Sequence, residues 1–245
     1  MARLAFRPLL WPTILTLIML PVLIGLGVWQ LHRLDWKLGL IATMEARLAA
    51  PAAAMPPVAD WTSLDPESLD YRHMSATGHF DNAHEFHYFT QDDQGQAGYS
   101  LLVPLLLDGG GAVIVDRGFV PQDRKEAGTR PASQIEGEVT VTGVARRPGR
   151  RGVFDGENDP AHNIWYVRDP ARMAASIGLD PVAPFLLEAQ PQAGADPKAL
   201  PRPGAAHVEL TNSHLQYALT WFSFAAILII IYVVYHRSNG RFRAE

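Results

Sequence analysis

The sequence predicts a membrane protein of the α+β class, with two transmembrane helices flanking a mostly antiparallel, barrel-like β-rich domain that carries one short helix. Three observations lead there. Leu9 to Gln30 holds no charged side chain, Leu215 to Tyr235 holds no Asp, Glu, Lys or Arg, and the stretch between consists of short apolar or alternating runs broken by Gly, Asp, Asn and Pro. About 20 residues rising about 1.5 Å each cross a hydrocarbon core of about 30 Å, so each terminal segment is long enough to span.

The first segment follows Arg7 and is closed by Arg33. A basic residue before an apolar run also opens a signal peptide. This run is too long for one, however, and the Ala-rich stretch Ala49 to Ala54 that could be cleaved lies well past its end. An uncleaved anchor is expected. Trp36 to Leu48 keeps helical spacing until Pro51-Ala-Ala-Ala-Met-Pro-Pro57, where three prolines stop a helix and predict a linker.

Strand-like runs follow at Tyr71 to Phe80, His84 to Thr90, Tyr99 to Leu107, Ala112 to Val120 and Val139 to Ala145, with Asp108-Gly-Gly-Gly111 as the clearest turn. Turn residues from Arg147 to Pro160 separate these from Asn163 to Val167. Asp169 as N-cap, Pro170 at the first helical position and Gly178 past the end then predict one short helix. Phe185 to Glu188 reads as a last strand, and Gln190 to Gly204, rich in Pro, Ala and Gly, as a tether.

The second apolar segment leaves through Arg237, Arg241 and Arg243, which places the C-terminus in the cytoplasm by the positive-inside rule. An even number of spans puts the N-terminus on the same side. The expected division is 1–37 for the cytoplasmic tail and first span, 38–210 for the external domain, and 211–245 for the second span and tail. The short tail Met1 to Trp11 leaves no room for a transit peptide, so a bacterial inner (cytoplasmic) membrane with a periplasmic domain is expected.

Formal net charge is −4 over 245 residues and the loop has no long basic cluster, which argues against nucleic acid as a partner. With no cysteine, disulfides, thiol catalysis and thiolate metal sites fall away together, leaving the nine histidines as the soft donors. No G-x-S-x-G, P-loop, H-E-x-x-H or G-x-G-x-x-G is present, and no active site can be assembled, so an enzyme is not expected.

His214 stands at the mouth of the second span, with Ala218, Trp221 and Ala225 on the same helical stripe. A neutral imidazole suits heme iron, small residues could admit a flat ring, and Arg33 or Arg117 could pair with propionates. On spacing alone, a histidine that merely anchors the helix at the headgroups is the stronger reading. On the first helix, Gly25, Trp29, His32 and Arg33 lie close together at the same outer end, and Pro21 is placed to bend the helix. The two mouths should meet at one depth. His84 and His87 suggest a metal site, but residues three apart on a strand face opposite sides, which favours solvated histidines. Asp116 either pairs with Arg117 or leaves it to a ligand anion, with the salt bridge favoured on chemistry alone.

Taken together, five segments resemble the Surfeit-locus-one family of cytochrome oxidase assembly factors. They are Leu26-Gly-Val-Trp-Gln-Leu-His-Arg-Leu-Asp-Trp-Lys37, Gly78-His-Phe-Asp81, Val115-Asp-Arg-Gly-Phe-Val-Pro121, Trp165-Tyr-Val-Arg-Asp169 and Asn212-Ser-His-Leu-Gln-Tyr-Ala-Leu-Thr-Trp221. The resemblance implies a chaperone-like protein that helps place heme a in the catalytic subunit of a heme–copper terminal oxidase, with His214 as axial ligand to the heme iron. Trp29, Gln30, Arg33 and Trp36 match its first-helix motif, Arg117 and Gly118 its strand end, and Tyr217 and Trp221 its second-helix motif. His32 departs from the family pattern and offers a second axial ligand. The implied partners are the oxidase catalytic subunit, the lipid bilayer and, as a further option, heme a synthase. Two other readings remain: a scaffold for assembly intermediates that does not touch heme, and a membrane-anchored periplasmic enzyme.

Overall fold

Both apolar segments are helical, and each helix outruns its uncharged core. The computed structural model describes residues 4–153, 156–191, 196, 198–204 and 212–244, with backbone alone at 4–6 and 242–244. In chain order the elements are β1 (Leu4–Phe6), α1 (Leu10–Ala49), β2 (Ala53–Ala54), α2 (Pro66–Leu69), β3 (His73–Phe80), β4 (Phe86–Gln91), β5 (Ala97–Leu107), β6 (Ala112–Pro121), β7 (Glu138–Arg146), β8 (Ile164–Trp165), α3 (Pro170–Ser176), β9 (Val182–Ala189), α4 (His214–Ser238) and β10 (Phe242–Ala244). The chain forms two units, Met1–Ala42 with Glu209–Glu245, and Thr43–Val208. The tether expected over Gln190 to Gly204 falls partly outside the described residues, as does the approach to the second helix from Ala205 to Thr211.

α1 runs unbroken for 40 residues, about 60 Å, from the first unit into the start of the second, so the span and the helical segment after it are one element. It continues through Pro21, which has no N–H to donate to the carbonyl of Leu17. Trp11, Leu17, Ile18, Leu219, Ile230 and Val234 are exposed, as are most apolar side chains of the two helices. A water-soluble fold does not leave apolar surface of that extent bare. Both helices are long and apolar enough to cross a membrane, and the chain is a membrane protein. They meet at Gly27, where a Cβ would lie 2.5 Å from the Phe222 ring, so any larger residue would force that ring to shift.

The second unit is built on a closed five-stranded barrel in the order β3-β7-β9-β6-β5, with β5 returning to pair with β3 from Gly78↔Leu107 to Phe80↔Leu105. All of its pairings are antiparallel except β6 with β9. Along β6, Val113 and Val115 enter the barrel core with Met74, Leu105, Phe185 and Leu187. The intervening Ile114 packs outside it with Phe86, Leu102, Trp165 and Met173 of α3. This is the two-residue period of a strand buried on both faces. Full burial of a side chain such as Phe185 contributes about 1.5–3 kcal/mol.

α3 begins as expected, with the Asp169 carboxylate accepting from the Arg172 N–H at 3.2 Å and Pro170 in the first turn. Three expectations need correction. The proline-rich linker contains β2, which pairs in parallel with β3 through Ala53↔Met74, because Ala53 and Ala54, unlike the flanking prolines, carry N–H groups. The stretch from Asn163 to Val167 is strand only at Ile164–Trp165. The last strand starts earlier, at Val182, and lies inside the barrel wall between β7 and β6.

Candidate functional site

At one end of the helix pair, the His214 Nδ1–H donates to Gln30 Oε1 at 2.7 Å, joining α4 to α1. Gln30 is only 9% exposed. Because an amide oxygen accepts and cannot donate, this bond puts the imidazole proton on Nδ1 and leaves a lone pair on Nε2. Among the described residues Nε2 has no hydrogen-bond partner. A second group that orients an imidazole in this way is the usual companion of a metal-ligating histidine.

The other end of the pair shows what a structural histidine looks like. His236 is fully buried, its Nδ1–H donates to the Tyr232 carbonyl at 2.8 Å and its Nε2 accepts from the Leu9 N–H at 3.0 Å. Thr13 and Tyr232 hydroxyls bond beside it at 2.9 Å, and β1 pairs with β10 just beyond. The two histidine contacts stand about 32 Å apart along the helices at about 1.5 Å per residue, close to the ~30 Å of a hydrocarbon core. His236 employs both ring nitrogens, whereas His214 employs one.

The stripe of His214, Ala218, Trp221 and Ala225 exists, but it faces α1. Ala218 and Ala225 are buried and Phe222 lies against Gly27, so the room that the small residues offer is taken by the first helix. On α1 the inward face carries Gly27 and Gln30, not Gly25, Trp29, His32 and Arg33. Gly25 has open space beside it, and Trp29 is 56% exposed. His32 is exposed and lies two residues from Gln30, about 200° around the helix; the structure does not bring it to His214. The Arg33 guanidinium stacks on Trp36 at 4.0 Å. Tyr217 is 53% exposed, and Trp221 meets Phe224 edge-on at 6.1 Å.

In the barrel unit the Asp116–Arg117 pair expected from the sequence does not form. Adjacent residues on a strand point to opposite sides. Asp116 accepts from the Ser100 hydroxyl and from the Gly118 N–H at 3.0 Å, and meets Arg168 at 3.3 Å. Across β6 and β9 it is the register partner of Glu188, whose carboxyl is pushed up by burial and by Asp116. Gly118 has φ +113, and a Cβ there would lie 2.1 Å from the Arg202 carbonyl oxygen, which bonds the Phe119 N–H. Asp116, Arg168, Glu188 and Arg202 border a cleft of about 630 Å³.

Arg117 points to the other side, 4.6 Å from the Phe80 ring. Glu85 and Arg130, which no sequence motif singles out, form a buried two-bond ion pair braced by Gln134 at 2.8 Å and Ser133 at 2.8 Å. His84 is exposed and bound to Asp81 at 2.7 Å, while His87 is buried, so the expectation of two solvated histidines holds only for the first. Among the described residues no three His, Asp or Glu are placed to hold a metal ion.

Two long apolar helices joined at both ends by histidines, and a closed β-barrel unit in the same chain, define a class of membrane-anchored barrel proteins. A profile described as the SURF1 family matches residues 17–226, which include Gln30, Arg117 and His214. Surfeit locus protein 1 of Homo sapiens is 34% identical over 227 residues, covering 86% of this chain and 73% of the relative. That of Mus musculus is 35% identical over 217 residues, with 82% and 68% covered. That of Xenopus tropicalis is 32% identical over 227, with 86% and 71% covered. The chain belongs to the SURF1 family.

Proposed function

We propose that this protein is an assembly factor for a heme–copper terminal oxidase, which binds heme a as cargo through His214 and helps insert it into the catalytic subunit. The observation that carries the reading is the imidazole of His214, held by Gln30 with Nε2 left for iron. Membership of the family supports the assembly role. The donor set fits the cargo: one neutral imidazole, with the exposed Trp29 and Tyr217 supplying flat apolar surface. Since α1 covers Ala218 and Ala225, the interface between the helices offers no slot for a ring, and the cargo belongs on its outer edge. Bound there, heme supplies redox-active iron to the recipient. A single protein ligand leaves the second axial position open for exchange, which suits transfer better than retention or turnover.

The helices cross the bacterial inner membrane as a hairpin with both termini cytoplasmic and the barrel unit periplasmic. The arginines after α4 support this, as does the pairing of the two ends, where the Arg7 N–H reaches the Arg241 carbonyl at 3.2 Å. His214 then lies at the periplasmic rim, with Arg33 beside it in depth as a partner for propionates.

One observation favours a second reading, a scaffold that holds assembly intermediates without heme: the His214–Gln30 bond also ties the helices together, as His236 does. Co-expression with heme a synthesis separates the two. The heme reading expects copurified heme a that is lost in His214→Ala with the fold retained. Full occupancy in that variant removes His214 from the site, and heme-free wild-type protein supports the scaffold.

A further inference from the structure

Arg117 follows Val113 and Val115 on the barrel-facing side of β6, at the end of the core. It is 7% exposed, its Nη1 is enclosed without a hydrogen-bond partner, and the contact it makes is to the Phe80 ring. Burial lowers its pKa to about 10, with Glu85 pulling the other way. A buried guanidinium is costly unless an anion or several acceptors meet it.

Two strands away, on β4 across β5, His87 is also 7% exposed, and neither of its ring nitrogens has a partner. It sits against the edge of Tyr99 at 5.8 Å, and the Lys125 ammonium lies 5.3 Å from the same ring. Glu85 acts on both groups through its charge only. Its two oxygens are occupied by Arg130 and Gln134. Three cations, Arg117, Arg130 and Lys125, therefore stand against Glu85 and the exposed Glu126, and the two groups without partners are both more than nine-tenths buried.

We infer that Arg117 and His87 form a binding site for a small oxyanion, a carboxylate or phosphate group, at the end of the barrel. The guanidinium supplies charge and a fixed pair of donors, and the neutral imidazole supplies one N–H. Arg130, locked by Glu85, and Lys125 add attraction without direct contact. All four residues belong to the barrel unit, and the test of this site needs no heme.

The test is thermal unfolding of the full-length protein in detergent, with inorganic phosphate or acetate added against chloride at matched ionic strength. Binding to the folded state raises the midpoint with anion concentration. The expected result is such a rise with at least one of the two anions, and which one responds separates phosphate from carboxylate. The rise should be abolished in Arg117→Met and retained in Arg150→Met, which removes a surface cation. In chloride alone Arg117→Met should unfold at or above the wild-type midpoint, because an uncompensated buried charge has gone. If that variant does not fold, His87→Phe interrogates the same site and should show a reduced rise. No response of the wild type to either anion, or an undiminished response in Arg117→Met or His87→Phe, overturns the inference.

Discussion

Replacing Gln30 with Leu removes the acceptor of the His214 Nδ1–H while keeping a side chain of similar length in a buried position between the helices. The hydrogen bond itself contributes about 1 kcal/mol net. Its loss also frees the imidazole to rotate and to place its proton on Nε2, the atom proposed to bind iron. Outer partners of ligating histidines are worth about 10- to 100-fold in affinity, which brackets the direct loss from above. Heme affinity should therefore fall by about tenfold, or about 1.4 kcal/mol. Gln30→Glu keeps an acceptor and adds charge, so it should bind at least as tightly and lower the midpoint potential of the bound heme. Titration of apoprotein in detergent with heme, followed by absorbance and potentiometry, reads both effects. Loss of binding in His214→Ala together with unchanged affinity and potential in both Gln30 variants would refute a positioning role for Gln30.

Three further outcomes follow from the barrel unit. Burial, then Lys125 and Arg130, hold His87 below its ordinary 6.5, against the opposite pull of Glu85 and Glu126. The unfolded chain therefore takes up a proton first, so the stability tied to neutral His87 is complete above 6.5 and declines as pH falls from there through the folded value. Denaturant unfolding across that window should show the decline, and His87→Gln should flatten it. Glu85→Gln leaves Arg130 buried without its anion and should destabilise the unit by about 3 kcal/mol, with Glu85→Leu/Arg130→Met recovering most of it. A double-mutant cycle by chemical denaturation measures the coupling. Gly118→Ala puts a Cβ into the Arg202 carbonyl at a positive φ and should cost about 2 kcal/mol or more, seen as a lowered unfolding midpoint and protease cleavage near Arg202.

Local pattern made much of this fold readable. The strand run Ala112 to Val120 became β6 within one residue, and α3 started and stopped at its capping signals. Closure of the barrel was not readable, because the β3–β5 pairing and the insertion of β9 between β7 and β6 depend on registers between distant segments. His214 was visible as a lone imidazole at the threshold of an uncharged run, and its depth beside the first helix followed from span length. Its partner was not, since Gln30 lies 184 residues away and only the rotation of two packed helices selects it over Trp29 or His32. The separation of Asp116 from Arg117 was available from strand alternation alone. His87 defied its polar appearance because the Gln122–Ser133 stretch, three short 3-10 turns without a strong pattern, supplies Lys125 and Arg130 around it.

The central claim is that His214 coordinates iron through Nε2, and resonance Raman spectroscopy of the ferrous, heme-loaded protein tests it most directly. The account predicts an iron–histidine stretching band that shifts on nitrogen-15 labelling of histidine and is absent from His214→Ala reloaded with heme. The same band, unshifted in position and intensity in His214→Ala, would assign the ligand elsewhere and contradict it.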